Sequence, residues 1–450
     1  MLSSRLPKDL SPSPFFAELE RAKADVLAEC AGINALPFID MTVSSPVKAG
    51  LPVDLDDAID EGRKAFGNWN PDASGWKSAR EAVVEYFRER GGNFTAGQII
   101  LTASTSEAYS VLFKTFCDPG DVILTPMPGY PLLDTLAQLE HLECAPYFLK
   151  IRRKNARRRA TDERRESAKF RFVLDSDSLL AAPEHAKILL LVSPHNPTGH
   201  CVSREEWNEA VRFCEENNMI LVVDEVFGDY AFTDKVSRTW QYVFAPCHPE
   251  RNEVESIYET SQLVDLVELG SKEQDLWDAG GGDFINLPED GPKCPIFWLN
   301  GLSKAVGSPQ LKLGWMAFYA PCENFEEIRA ALEFVEDAYL SVSAPAQALG
   351  ASLLKHSEAY ESKVLDRLQQ NWQTLREAFP SKYCPEVLGG WYAVVRLGED
   401  DEELTLRLLR EKHVLVQPGF FFDFDEDGWV VMSLLQDPAI FKEAIERIIK

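Results

Sequence analysis

Short apolar runs alternate with helix-like stretches through the middle of the chain. Mainly apolar segments occur at 98–103, 121–126, 186–194, 219–226 and 295–302, and each has the length of a buried strand. The stretches that follow several of them place apolar residues three or four positions apart, as one face of a helix does. This alternation predicts an α/β fold with a mostly parallel central sheet and helices on both of its faces.

The last third of the chain has a different pattern. Long amphipathic helices are predicted at 323–340 and 346–377, and strand-like runs at 392–397 and 429–435 flank another helical stretch. This arrangement is typical of a smaller α+β unit. We expect the N-terminal segment to complete it.

The chain therefore divides into an N-terminal segment (1–45), a large domain (46–322) and a small C-terminal domain (323–450). Two stretches of the large domain fit no core element: 150–172 is strongly basic, and 248–293 is acidic and glycine-rich. We interpret both as surface insertions. The basic stretch could contact nucleic acid or an anionic membrane, but a solvated loop is the simpler interpretation in an acidic protein.

Composition excludes several classes of protein. The 450 residues carry a net charge of −26, which opposes wrapping a nucleic acid because most of the surface would repel phosphate. Nine cysteines with no CxxC spacing predict no metal site and favour reduced thiols in a cytoplasmic protein. The polar, proline-broken N-terminus does not resemble a secretory signal, and no apolar run is long enough to span a membrane.

Ligands of such sheets bind at the carboxyl ends of the strands, and three motifs occur there. SPHNPTGH places Asn196 in a turn that could also be a simple strand-to-helix connection. Asp224 ends a buried strand, where a carboxylate needs a ligand or partner, or caps the next turn. Lys304 follows an apolar strand, where partial desolvation makes a lysine a nucleophilic amine; an exposed lysine is the alternative.

Two further motifs follow the earlier strands. Ser104 and Glu107 have the spacing of a capping box at the start of a helix. The unpaired amides of that helix start, with the hydroxyls of Thr105 and Ser106, form a potential anion site, although simple capping would explain them too. Tyr130 lies in the turn MPGYP, where its ring can stack on a planar ligand.

Together these groups describe a single site. They supply an amine for an aldehyde, a carboxylate for a pyridine nitrogen, an amide for a phenolic oxygen, a phosphate site and an aromatic platform. These are the requirements of pyridoxal 5′-phosphate, a cofactor whose ring acts as an electron sink.

The ordered motifs Asn-Pro-Thr-Gly, Asp-Glu and Ser-Lys resemble those of the class I/II aminotransferases, the fold-type-I pyridoxal-phosphate enzymes related to aspartate aminotransferase. The resemblance runs from about residue 35 to the end, without the two insertions. It implies that Lys304 forms the Schiff base, Asp224 pairs with the pyridine nitrogen and Asn196 bonds the ring 3′ oxygen. The cofactor-binding set it implies is Thr105, Ser106, Tyr130, Asn196, Asp224, Ser303, Lys304 and Lys312.

Four positions depart from the family pattern. Phe227 stands where a tyrosine usually donates to the 3′ oxygen, and Lys312 where an arginine usually binds the phosphate. Trp69 replaces a tyrosine that reaches the partner subunit. Val431 aligns with the arginine that grips the substrate α-carboxylate, so bidentate carboxylate recognition is absent there. The nearest cation that the sequence offers instead is Arg396.

The resemblance implies a homodimeric, pyridoxal-phosphate-dependent aminotransferase that moves an amino group between an amino acid or amine and a 2-oxo acid. Two alternatives stay open: a lyase or decarboxylase on the same fold, and a cofactor-binding protein without turnover. Val431 predicts a preference for apolar or carboxylate-poor amines over aspartate. The aromatic run 420–422 lies where the family has a loop near the substrate, although core packing is the more common role of such a run.

Overall fold

The computed structural model describes the following residues: 3, 5–7, 9–11, 13–31, 36–153, 170–233, 236–244, 291–398 and 400–450. The parts of the two predicted insertions at 154–169 and 248–290 lie outside them. Within the described part, the strands form an eight-stranded sheet, a three-stranded sheet and a two-stranded pair.

The strands are numbered along the chain. They are β1 Ile39–Asp40, β2 Ile99–Thr102, β3 Val122–Met127, β4 Glu143–Arg153, β5 Phe170–Leu174, β6 Ala186–Val192, β7 Ile220–Asp224, β8 Ile296–Gly301, β9 Gly314–Tyr319, β10 Tyr392–Arg396, β11 Val414–Leu415, β12 Gln417–Pro418 and β13 Trp429–Ser433. The large sheet has the order β2-β9-β8-β7-β6-β3-β4-β5. Its central strands pair in parallel, from β4 through β3, β6 and β7 to β8. The predicted mostly parallel sheet is confirmed.

Three strands of this sheet were not predicted. β4 and β5 form an antiparallel pair at one edge, and β9 runs antiparallel between β2 and β8. The exposed end of β4 is charged rather than apolar, so hydrophobic pattern alone does not reveal it. The predicted insertion 150–172 was therefore wrong at both ends, because 150–153 belong to β4 and 170–172 to β5.

The core lies on both faces of the sheet. Leu189 and Leu191 of β6 pack into one cluster of buried side chains, and Ile188 and Leu190 pack into the other. Successive side chains of a strand point to opposite faces, so a strand covered on both sides is apolar throughout. This is why β6, β7 and β8 were visible in the sequence.

Helices cover both faces. They are α1 Pro14–Glu29, α2 Asp56–Ala65, α3 Lys77–Glu89, α4 Thr105–Phe116, α5 Leu132–Leu139, α6 Ser176–Leu179, α7 Arg204–Glu216, α8 Gln241–Phe244, α9 Leu302–Ala305, α10 Cys322–Asp337, α11 Ala344–Leu354, α12 Ser357–Ala378, α13 Asp401–Lys412 and α14 Pro438–Ile449. In the described ranges, none is long and apolar enough to cross a bilayer.

The C-terminal part is built on the three-stranded sheet β10-β13-β12. Its predicted long helix at 346–377 is instead two helices, α11 and α12, which meet at Lys355 and His356. The apolar spacing continues across this break, so the sequence pattern does not show it.

The N-terminal segment joins this part, because β1 pairs with β11 and α1 packs on α13 through Phe15, Leu19 and Leu409. The boundary between the domains, at 322/323, stays a prediction.

Chain direction brings the carboxyl ends of the central strands to the same sheet edge. Asp224 ends β7, and the neighbouring strand β8 ends at Gly301, just before Lys304. Beyond β6, Ser203 and Glu206 form a capping box at the start of α7, and the Glu206 carboxylate also accepts a hydrogen bond from the Leu174 amide. Glu206 therefore fixes the connection that contains Asn196.

Candidate active site

A cavity of about 320 Å³ opens at this edge of the sheet. Its lining brings together all eight cofactor-binding residues that the sequence predicted, although their roles stay predictions. The lining residues are Ser44, Ser104, Thr105, Ser106, Tyr109, Tyr130, Leu132, Leu133, Val192, Asn196, Asp224, Val226, Phe227, Gly301, Ser303, Lys304, Pro309, Lys312, Leu313, Gly314 and Tyr392.

Lys304 lies in α9, the short helix that follows β8. Its backbone carbonyl accepts a 2.6 Å hydrogen bond from the hydroxyl of Tyr230, which fixes the main chain at this point. Its Nζ lies 4.9 Å from the centre of the Trp391 ring and 5.5 Å from that of Phe227. Burial lowers the pKa of Lys304 to about 8, while the charge of Asp224 acts in the opposite direction. Much of this amine is therefore neutral at mildly alkaline pH.

Asp224 is held by two donors. Its Oδ1 accepts a 3.0 Å hydrogen bond from the Val226 amide, and its Oδ2 accepts a 2.7 Å hydrogen bond from the Tyr109 hydroxyl. Burial raises the pKa of Asp224, whereas these two hydrogen bonds and the charge of Lys304 lower it. The structure therefore offsets much of the desolvation of a carboxylate that faces the cavity.

The start of α4 forms one wall of the cavity. The Ser104 hydroxyl accepts a 3.2 Å hydrogen bond from the Glu107 amide, as predicted. The Glu107 carboxylate, however, bonds the Ala103 amide rather than that of Ser104, so the predicted capping box was wrong in its second half. The first amides of a helix have no acceptor within it, and Thr105 and Ser106 lie at the cavity. This helix start can hold an anion.

Two glycines allow the backbone to come close to this helix start. A Cβ on Gly314 would lie 3.2 Å from the Thr105 nitrogen, and a Cβ on Gly301 would lie 2.9 Å from the Gly314 Cα. A side chain at Gly314 would press against the start of α4, and a side chain at Gly301 would press against Gly314 and so force β8 and β9 apart. The two glycines thus leave the space beside the Thr105 amide open.

The remaining predicted residues surround this wall. The side-chain oxygen of Asn196 is buried without a hydrogen-bond partner in the described part of the chain, so this amide is available to a ligand. Tyr130 is half-exposed, and the neighbouring Gly129 amide bonds the Phe422 carbonyl at 2.8 Å. Lys312 extends from a left-handed backbone position with φ of 52°. A positive group and an aromatic ring therefore border the cavity.

Three polar lining residues, Ser44, Tyr109 and Tyr392, were not predicted from the sequence. Tyr109 lies one helical turn beyond Thr105 on α4, and that i, i+4 spacing could have suggested it. Ser44 and Tyr392 come from opposite ends of the chain, and both line the cavity. No local pattern links two residues so far apart in sequence.

Besides Lys312, the other three departures from the family pattern occupy different surroundings. Phe227 is buried and lines the cavity without a polar group. Trp69 is 82% exposed and borders a separate cavity of about 80 Å³. Val431 is fully buried in β13, opposite Val394 and outside the cavity lining.

Arg396 does not replace the missing arginine. It forms an ion pair with Glu426, and its guanidinium lies 5.8 Å from the centre of the Trp429 ring. Tyr392 and Arg396 share a face of β10 but are separated by roughly 13 Å along the strand, at about 3.3 Å per residue. The suggestion that Arg396 binds the carboxylate was therefore wrong. The aromatic run is also outside the lining, since Phe420 and Phe421 pack against Phe15 and Phe16 of α1.

A family model described as aminotransferase class I and II matches residues 54–448. Similar curated proteins include a tyrosine aminotransferase of Caenorhabditis elegans, 20% identical over 79% of this chain and 65% of that protein. An alanine aminotransferase of Mycobacterium tuberculosis is 24% identical over 84% of this chain and 76% of its own length.

Solved structures show the same fold. An alanine aminotransferase from Pyrococcus furiosus superposes with a TM-score of 0.70 at 21% identity, covering 98% of each chain. A double mutant of Thermus thermophilus aspartate aminotransferase gives a TM-score of 0.72 at 20% identity, covering 100% of this chain and 99% of that one.

We predict that Lys304 in the ligand-free protein reacts with acetic anhydride with a midpoint near pH 8, because burial lowers its pKa to about 8. Competitive labelling followed by mass spectrometry measures this midpoint. Asp224→Asn removes the charge that stabilises the ammonium form, so the midpoint should move to lower pH. A midpoint above pH 10 in the unmodified protein would contradict the predicted desolvation.

Proposed function

The chain belongs to the class I and II aminotransferases, and on this premise we propose that it binds pyridoxal 5′-phosphate on Lys304 and transfers an amino group between an amino donor and a 2-oxo acid. The family match confirms the predicted resemblance and the predicted transferase activity. The observation that carries the residue assignment is the meeting of Asp224, Lys304 and the start of α4 in one cavity.

The residues of the cavity fit the cofactor. The free amides at Thr105 and Ser106, with Lys312, suit a phosphate, and the space beside them is kept open by Gly314. The Asn196 side-chain oxygen has no hydrogen-bond partner among the described residues, which supports the proposal that this side chain contacts a ligand. Asp224 supplies a carboxylate for a ring nitrogen, and the half-exposed Tyr130 ring supplies a stacking surface. When bound, pyridoxal phosphate supplies an aldehyde for the substrate amine and a ring that accepts electrons.

Lys304 has the properties of a general acid–base group as well as of a nucleophile. A lysine with a pKa near 8 exchanges protons readily around neutral pH, whereas an unperturbed lysine stays protonated. The hydrophobic rings of Phe227 and Trp391 exclude water from its amine. We assign Lys304 the transfer of the substrate proton and Asp224 the electrostatic support of the ring.

Recognition of the substrate carboxylate relies on neutral donors. The described cavity lining contains Lys304 and Lys312 but no arginine. A carboxylate there would be bound by the Asn196 amide, the Ser44 hydroxyl and the Tyr392 phenol, which are weaker partners than a bidentate guanidinium. We therefore expect high KM values for carboxylate-bearing substrates and a preference for apolar or carboxylate-poor amines.

We further propose a symmetric homodimer in the cytoplasm. Phe66 and Trp69 follow α2 and are 79% and 82% exposed, which is unusual for large apolar side chains and favours burial against a second copy. The free thiols among the described residues are consistent with a reducing compartment.

We predict that borohydride reduction of the protein with pyridoxal phosphate traps one pyridoxyl group on Lys304, as measured by peptide mass spectrometry. Lys304→Ala should abolish the label because it removes the amine. Lys312→Ala should weaken cofactor binding yet leave the label on Lys304 at saturating cofactor. Labelling only at other lysines, or none with cofactor in excess, would show that the proposed function is wrong.

We predict by light scattering a mass of twice the 50.6 kDa chain. Phe66→Glu places a charge in the proposed interface and should shift the protein toward monomer. Leu180→Glu, at a residue with the same 79% exposure elsewhere on the surface, is the matched control and should leave the dimer intact. A monomeric unmodified protein that still binds the cofactor tightly would refute the interface.

We predict that phenethylamine is used with a kcat/KM at least about tenfold above that of aspartate, since a poorly paired charge costs at least about 1.4 kcal/mol. Spectroscopic half-reactions with each donor measure this ratio. Efficient turnover of aspartate by the unmodified protein would mean that another group binds its carboxylate.

A further inference from the structure

Tyr109 connects the two ends of the site. It lies on α4, the helix whose first turn forms the anion site, and its side chain is only 4% exposed. Its hydroxyl donates a 2.7 Å hydrogen bond to Asp224 Oδ2. One helix therefore carries both the anion site and a donor to the carboxylate at the end of β7.

The surroundings of Asp224 make this donor significant. The ionisable groups facing Asp224 are Tyr109, Lys304 and Glu225, and Glu225 is itself paired with Arg238 at 3.0 Å. Tyr147 from β4 is the other ionisable group near Tyr109. Burial and the charge of Asp224 raise the pKa of Tyr109 well above its usual value, so the phenol keeps its proton and can only donate to the carboxylate.

We propose that Tyr109 is a positioning residue that fixes the Asp224 carboxylate and keeps it ionised, so that Asp224 stabilises a proton on the cofactor ring nitrogen instead of taking that proton itself. This inference rests on the proposed function. A buried carboxylate next to a protonated pyridine has a neutral alternative, in which the proton moves to the carboxylate. A hydrogen bond to the charged form disfavours that alternative.

Tyr109→Phe should make the stability of the protein more dependent on pH. Burial holds the pKa of Asp224 above its usual value, and Tyr109 partly offsets this effect. Removal of the phenol therefore raises the pKa of Asp224 further. A group with a raised folded-state pKa loses stability as the pH rises through that pKa, so the variant should lose more stability at high pH than at low pH.

The first experiment measures the free energy of unfolding of the ligand-free protein between pH 4 and 8. We expect Tyr109→Phe to raise the proton affinity of Asp224 about tenfold. The free energy of unfolding should therefore fall by an extra ~1.4 kcal/mol at pH 8 compared with pH 4. Tyr147→Phe is the matched control, because it removes an equally buried phenol that donates to the Leu190 carbonyl at 2.8 Å. The free energy of unfolding that Tyr147→Phe removes should be the same at every pH.

A second variant separates positioning from folding. In an Asp224→Asn background, the effect of Tyr109→Phe on the free energy of unfolding should no longer depend on pH, since the group that titrates is gone.

In the protein loaded with cofactor, the chemical shift of a ¹⁵N-labelled ring nitrogen should move toward the value of an unprotonated nitrogen in Tyr109→Phe but not in Tyr147→Phe. The kcat should fall about tenfold with KM nearly unchanged.

The outcomes are distinguishable. Equal and pH-independent effects of Tyr109→Phe and Tyr147→Phe, with no change at the ring nitrogen, would show that Tyr109 is only a satisfied core phenol and would overturn this proposal alone. Failure of the unmodified protein to trap the cofactor on Lys304 would overturn the proposed function and this inference together.

Discussion

A carboxylate, Asp224, and an amine, Lys304, share one cavity, and the site depends on the balance between their burial and their mutual attraction. Burial raises the pKa of Asp224 and lowers that of Lys304, so each group is pushed toward its neutral form. The charge of each group on the other, and the hydrogen bonds that Asp224 accepts from Tyr109 and Val226, oppose these pKa shifts. The outcome is an amine that is available as a nucleophile beside a carboxylate that can still hold a charge.

This balance requires the architecture of the sheet. β7 and β8 are adjacent and parallel, so Asp224 and the segment after Gly301 emerge at the same edge. The start of α4 is brought to that edge because β2 lies on the other side of β9, and Gly301 and Gly314 allow close contact. The start of α4, Asp224 and Lys304 are thereby brought to one cavity in an arrangement that local sequence does not encode.

The absence of an arginine from the described cavity lining is the basis for our proposal that neutral groups recognise the substrate. The C-terminal part presents Tyr392 to the cavity, while Val431 lies behind it in the same small sheet and Arg396 turns outward to Glu426. The chain carries a net charge of −26, yet the basic groups at the described cavity lining are Lys304 and Lys312. In the proposed function, anion binding is therefore concentrated at the start of α4, and the part of the cavity near Ser44, Asn196 and Tyr392 offers hydroxyl and amide groups.

The sequence alone determined the strands buried on both faces, because they are continuous apolar runs. Its ordered motifs also predicted eight residues that the structure brings to one cavity, and their roles in cofactor binding stay a prediction. It did not reveal β4, whose outer half is charged, or the break between α11 and α12, where the apolar spacing continues. Only the tertiary structure brought Ser44 and Tyr392 together and set Tyr109 against Asp224. It also turned Arg396 away from the cavity. These contacts join residues that are distant in sequence, and side-chain direction at such positions is decided by packing between elements rather than by local pattern.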